Sequence, residues 1–220
     1  MSGIIRKNAV YFFVKKRYNQ TAKKRKEPGL KSGIENMENS VLNTILSRSS
    51  IRAYTPEKLN EFELDVLKKA ALASPTAMNR QDQRFIFVLT DEKRARLEEA
   101  IVEGVVASGN TAFIERMRSR GGKVTYDAPL VIIICAKPSH FAPVDAGIAV
   151  ENIAIAAKSI GLESVILGMP ASAFNAPGGE KAKAEFGFPE GFEFQIAVSV
   201  GHGAMEKAPH EWDDGHITEL

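Results

Sequence analysis

Cysteine is almost missing from this 220-residue chain: Cys135 is the only one. No intrachain disulfide can form, which fits a reducing compartment such as the cytoplasm. Four histidines are present, and His202, His210 and His216 follow no established zinc spacing, so no metal site is read. No apolar run is long enough to span a bilayer; AVYFFV (9–14) is too short even for a signal-peptide core. No GxGxxG follows a strand pattern and no GxxxxGK[ST] occurs, so neither standard phosphate loop is present. Acid is absent from residues 1–26, which hold nine Lys/Arg, while the rest has 20 basic against 27 acidic residues, a net of −7. The basic pI of about 8.6 is thus set by the first segment, and the body does not read as a nucleic-acid binder. The composition of residues 1–36 predicts a basic extension, with an import peptide or an interaction arm as alternatives, ahead of a domain over 37–220.

Periodicity organises that domain. Helical spacing runs through 37–48, 57–73, 91–107, 110–120, 143–160 and 179–186. Apolar, β-rich runs at 84–89, 129–137, 164–169 and 192–201 read as strands, and 129–137 as one buried on both faces. The alternation predicts an α+β domain of two or three layers, with a central mixed β-sheet flanked by helices. Cys135 falls inside an apolar strand and reads as a buried small hydrophobe. Helix 143–160 (PVDAGIAVENIAIAAKSI) is apolar and small-sided except for a stripe of Asp145, Glu151, Asn152, Lys158 and Ser159. Such a helix belongs in a core or a subunit interface.

Three polar packets carry the chemistry. In RSSIR (48–52), Arg48 and Arg52 offer guanidinium forks, and Ser49 and Ser50 offer hydroxyls, to one anion. The same residues also suit a helix end, with Ser50 and Thr55 as caps. SPTAMNRQDQ (74–83) is an amide-rich loop in which Asn79 and Gln81 can read a heterocycle edge, or an ordinary connection. ILGMP (166–170) ends a strand at Gly168, where a flat ring can lie against the main chain.

In this order and spacing, the packets resemble the nitroreductase family of FMN-dependent NAD(P)H oxidoreductases, from residue 37 to about 217. The matching elements are Arg48-Ser49-Ser50-Ile51-Arg52-Ala53-Tyr54, then Ser74-Pro75-Thr76-Ala77-Met78-Asn79-Arg80-Gln81, then the helix from Asp145 to Leu162. The resemblance implies a homodimer with FMN at two interfacial clefts and NADH or NADPH as reductant. It implies a small-molecule oxidant such as a nitroaromatic or quinone, ping-pong turnover, and no nucleic-acid or membrane partner. Arg48, Ser49, Ser50 and Arg52 would hold the phosphate and ribityl chain. Pro75, Thr76, Met78, Asn79 and Gln81 would line the flavin. Leu167 and Gly168 would face its N5/O4 edge, and Lys207 or His210 would assist at the phosphate. Helix 143–160 would form the dimer core, with Ala154 and Ala157 in its close-packed seam. No side chain is expected to act as a nucleophile. Other branches, with dehalogenation or flavin-fragmentation chemistry, and a non-catalytic flavin binder are the alternatives. Asp82-Gln83 depart from the family's usual Pro-Trp, which bears on loop rigidity.

Overall fold

The computed structural model describes residues 40–109, 111–119 and 121–220. The expected basic extension over 1–36 lies outside them. Residues from Thr44 onward form one unit, to which residues 40–43 do not belong. The elements are α1 (Ser40–Ser47), α2 (Glu61–Leu72), a 3-10 turn (Ala77–Asn79), β1 (Gln83–Val88), α3 (Asp91–Ala107) and α4 (Thr111–Ser119). After these come β2 (Leu130–Ala136), α5 (Ala142–Ser159), β3 (Glu163–Leu167), α6 (Ala171–Phe174), α7 (Glu180–Glu185), β4 (Glu193–Gly201) and a last 3-10 turn (Asp214–His216).

The four strands run in the order β1-β2-β4-β3, each pair antiparallel. The parallel contribution is the isolated bridge between Ser50 and Ser164. Strand β2 is buried at every position, as its continuous apolar run requires. Its alternate side chains serve two cores. Val131 and Ile133 pack with Leu97, Ile101, Phe174 and Phe194 on the α3 side. Leu130, Ile132 and Ile134 pack with Leu67, Ala71, Ala149 and Ile153 on the α2/α5 side. The sheet is therefore the middle of three layers. Cys135 is buried within β2, and burial pushes its thiol pKa up to about 11. Gly104 has a packing role: a Cβ there would stand 2.1 Å from the Ser172 carbonyl oxygen, so only Gly lets α3 meet α6. No helix among the described residues is long and apolar enough to cross a membrane.

Two boundaries differ from the periodicity. Helix α2 starts at Glu61 rather than 57, because Asn60 and Glu63 form a reciprocal capping box. Thr55 is not a cap. Its N–H donates to the His202 carbonyl at 2.8 Å, in a stretch that runs beside the end of β4.

Helix α5 is also used differently from the expectation. Ala154 and Ala157 are fully buried within one chain, Ala157 in the core that holds the inner side chains of β2 and β4, so they form no seam with a second copy. Small residues are needed there because α5 lies close on β3 and β4. The outward face instead shows Val144, Gly147 and Ile148. The polar stripe is an anchor line for other segments. The Asp145 carboxylate accepts the Ala77 N–H at 3.0 Å. Asn152 donates to the Ser74 hydroxyl at 3.2 Å. Glu151 pairs with Arg48 and Lys158 with Glu163.

Asp145 is only 8% exposed, so its bond to Ala77 is hard for water to replace. Asp145→Ala should destabilise the protein by about 1–3 kcal/mol through the orphaned amide, and Asp145→Asn, which keeps an acceptor oxygen, by less. Urea unfolding of the three proteins measures this, and equal midpoints for wild type and Asp145→Ala would refute it.

Candidate functional site

The RSSIR segment follows α1 directly and is fixed from three sides. The Ile51 N–H donates to the Ser164 carbonyl at 3.0 Å, which ties it to the outer edge of β3. The Ser49 hydroxyl donates to the Lys207 carbonyl at 2.9 Å, and the Ala204 N–H to the Ala53 carbonyl at 2.9 Å. The C-terminal strand end and the segment thus hold one another. Tyr54 completes the clamp: its hydroxyl donates to the Ile51 carbonyl at 2.8 Å and lies 3.3 Å from the Ser199 carbonyl. Burial first, and the Glu163 carboxylate second, push the Tyr54 phenol far above its ordinary pKa, so it remains a donor at any working pH.

The two arginines have unlike surroundings. Arg48 is held by Glu151, Nε to Oε1 at 3.1 Å, in a partly exposed pair. A pair of that kind orients more than it neutralises, and it leaves the two terminal amino groups of Arg48 for another anion. Arg52 has no acidic partner among the described residues. Its Nη1 is 3.4 Å from the Ser50 carbonyl, its Nε is buried without a partner, and its guanidinium lies 6.0 Å from the Tyr126 ring centre. Such a group is set up for an acceptor that the chain does not itself provide. Lys207 and His210 both lie in exposed coil; Lys207 reaches the segment through its carbonyl.

The 74–81 loop is strained and closed on itself. Met78, Asn79 and Gln81 all have positive φ, at 54°, 52° and 52°, which costs on the order of 1–3 kcal/mol per residue unless something else fixes the turn. Thr76 fixes it, accepting the Gln81 N–H on its hydroxyl at 3.0 Å and the Asn79 N–H on its carbonyl at 2.9 Å. Gln81 Nε2 donates to Asn79 Oδ1 at 2.8 Å, so both amides stand in the exposed part of the loop beside Pro75 and Met78. The Asp82-Gln83 departure does not loosen it. Asp82 pairs with Arg80 at 2.9 Å and accepts the Lys137 N–H on its carbonyl at 3.1 Å, and Gln83 is buried as the first residue of β1.

Leu167 is buried at the end of β3, and Gly168 follows on the surface, with nothing within 4 Å of where its Cβ would stand. One edge of the sheet therefore carries both the arginine segment, at Ser164, and the open Gly168. The amide loop leads into β1 at the opposite edge, three strand spacings or roughly 14 Å across. Within one chain, two of the sequence packets share an edge and the third does not. Sequence reasoning missed the partners that hold them: Glu151 on Arg48, Asp145 on Ala77, and Tyr126 beside Arg52. The one signal for the first two was the polar stripe of α5.

Solved structures share this fold. A nitroreductase with bound FMN from Desulfitobacterium hafniense superposes with a TM-score of 0.79 at 32% identity, over 84% of this chain and 100% of that one. A second nitroreductase with bound FMN, from Bacteroides fragilis, gives 0.77 at 26% identity, over 83% and 99%. An oxygen-insensitive NAD(P)H nitroreductase of Salmonella typhimurium is 26% identical, over 76% of this chain and 90% of its own. The family model for nitroreductases matches residues 45–202, a span that runs from α1 through the arginine segment, the amide loop and α5 to the end of β4, and on that match the chain belongs to the Nitroreductase family.

Proposed function

We propose that this protein is an FMN-dependent oxidoreductase that takes reducing equivalents from NADH or NADPH and passes them to small oxidised molecules, with nitroaromatics and quinones as the substrate classes. The observation that carries this reading is the arginine segment on the β3 edge: two guanidinium groups with unused donors, one lacking any acidic partner among the described residues, next to the open surface at Gly168. The residues fit the cofactor. The buried, unpartnered Arg52 Nε marks a place where an acceptor is missing.

FMN, when bound, supplies the hydride-accepting and hydride-donating chemistry. The chain supplies the rest. Arg48, through its terminal amino groups, and Ser50 would hold the phosphate, while Glu151 keeps Arg48 aimed. Ser49 is committed to Lys207 and fixes the segment. Arg52 brings an uncompensated positive charge, which favours the ligand in its more anionic state. The side-chain-free surface at Gly168 leaves room for a flat ring and for a second molecule stacked on it. Asn79 and Gln81 would read polar ring edges, held in place by Thr76 and Asp145.

Since the amide loop is at the far edge of the sheet, each site would be completed by the 74–81 loop of a second copy. A homodimer formed over the outward apolar face of α5 would bring the two together. A cytoplasmic setting accords with an NAD(P)H reductant and a single buried thiol. Nicotinamide and oxidant would use one cleft in turn.

The protein should purify yellow, with FMN released by heat. Arg48→Ala should weaken FMN binding about ten- to hundredfold, measured by flavin fluorescence quenching; unchanged affinity would reduce Arg48 to a helix-end residue. Turnover should give parallel double-reciprocal lines, and converging lines would call for two separate substrate sites. The shared site has its own test. Arg48→Ala and the double variant Asn79→Ala/Gln81→Ala should each lose flavin, yet their co-expressed heterodimer should bind one FMN per dimer, because one of its two sites is then free of both defects. A flavin-free heterodimer would put both segments of each site in one chain.

A further inference from the structure

The segment Val124–Asp127 is the second place where the backbone is strained. Tyr126 and Asp127 are consecutive non-glycine residues at φ 58° and 55°. The Ala128 N–H donates to the Thr125 carbonyl at 3.3 Å and Lys123 pairs with Asp127 across the turn, and a carboxylate anchors its leading end. The Glu98 carboxylate, on α3, accepts the Val124 N–H, the Thr125 N–H at 2.8 Å and the Thr125 hydroxyl at 2.5 Å. The Thr125 carbonyl accepts in turn from the Ser199 hydroxyl at 2.9 Å, which is fully buried on β4. The Ser199 carbonyl faces the Tyr54 hydroxyl, and Tyr54 clamps Ile51. A continuous polar path therefore runs from α3 to the arginine segment. It delivers one side chain to that segment: the Tyr126 ring, 9% exposed, with the Arg52 guanidinium 6.0 Å from its centre.

Strained backbone fixed by a dedicated carboxylate is more than a chain reversal needs; a Gly at either position would turn without strain. What the strain achieves here is the placement of an aromatic ring beside a cation that has no acidic partner among the described residues. A ring in that position restricts the guanidinium without neutralising it, whereas a carboxylate would do both.

We propose that Tyr126, held in its strained conformation by Glu98, is a positioning residue for Arg52, so that an element remote in sequence tunes how strongly the arginine segment binds the flavin. The inference rests on the flavin reading above and adds two residues to it. It requires the ring and not the phenol hydroxyl, and it requires Arg52.

The test is a double-mutant cycle on FMN affinity, measured on apoprotein by fluorescence quenching. Tyr126→Leu should raise the FMN Kd about three- to tenfold. Tyr126→Phe, which keeps the ring, should stay within about twofold of wild type. In an Arg52→Met background the Tyr126→Leu effect should vanish, since there is no guanidinium left to position. Glu98→Gln should reproduce the Tyr126→Leu loss and also lose it in the Arg52→Met background. If Tyr126→Leu does not fold, the Glu98→Gln cycle decides alone. An unaltered Kd in Tyr126→Leu, a loss in Tyr126→Phe equal to that in Tyr126→Leu, or effects that simply add to that of Arg52→Met would each overturn the proposal. A wild-type protein that takes up no FMN would sink the flavin reading itself, whereas normal uptake without coupling would sink this inference alone.

Discussion

The buried carboxylate of Asp145 is the contact on which much of this structure depends. It sits in the first turn of α5, where the helix dipole favours a negative charge, and it takes an amide from a loop 68 residues away in sequence. One turn or two further along, Glu151 accepts from Arg48 and Asn152 donates to the Ser74 hydroxyl. A single helix, packed by its small residues onto β3 and β4, thus fixes the arginine segment and the amide loop at one time. The two segments are far apart in the chain, and their common support is the spacing of three polar residues along α5.

The same device occurs twice. Asp145 braces a loop with three positive-φ residues, and Glu98 braces a segment with two. In each case a carboxylate from a helix accepts backbone N–H: that of Ala77 at Asp145, and those of Val124 and Thr125 at Glu98. An ionised acceptor makes the stronger hydrogen bond, and it is placed where the backbone is least able to hold itself. Both braced segments border the proposed cofactor site, in keeping with the tendency of strain to collect where function constrains the backbone.

Strand order then divides the site. Because β1 and β3 are the two edges of the sheet, the loop before β1 and the surface after β3 leave it from opposite edges. That separation, together with the exposed apolar residues Val144 and Ile148 of α5, is the basis on which a two-copy assembly is proposed.

The sequence by itself determined the secondary structure, since apolar period and strand-forming runs placed every strand of the sheet and the long helices to within a few residues. It also determined the family, through RSSIR, SPTAMNRQ and the Asp145–Leu162 helix, because backbone-rich cofactor contacts need particular small and polar residues in fixed local order. The start of α2 was misjudged because a capping box outranks apolar period at a helix end. Ala154 and Ala157 were assigned to the wrong surface because a small residue looks the same whether a sheet or another subunit approaches it. Only the tertiary structure decided that Glu151 takes the Nε of Arg48, that Arg52 has Tyr126 for a neighbour and no acid, and that the amide loop stands at the opposite edge from Gly168. Those are relations between residues far apart in the chain, 103 positions for Arg48 and Glu151, or on separate strands. Local pattern carries no information about them, because they follow from strand order and helix packing.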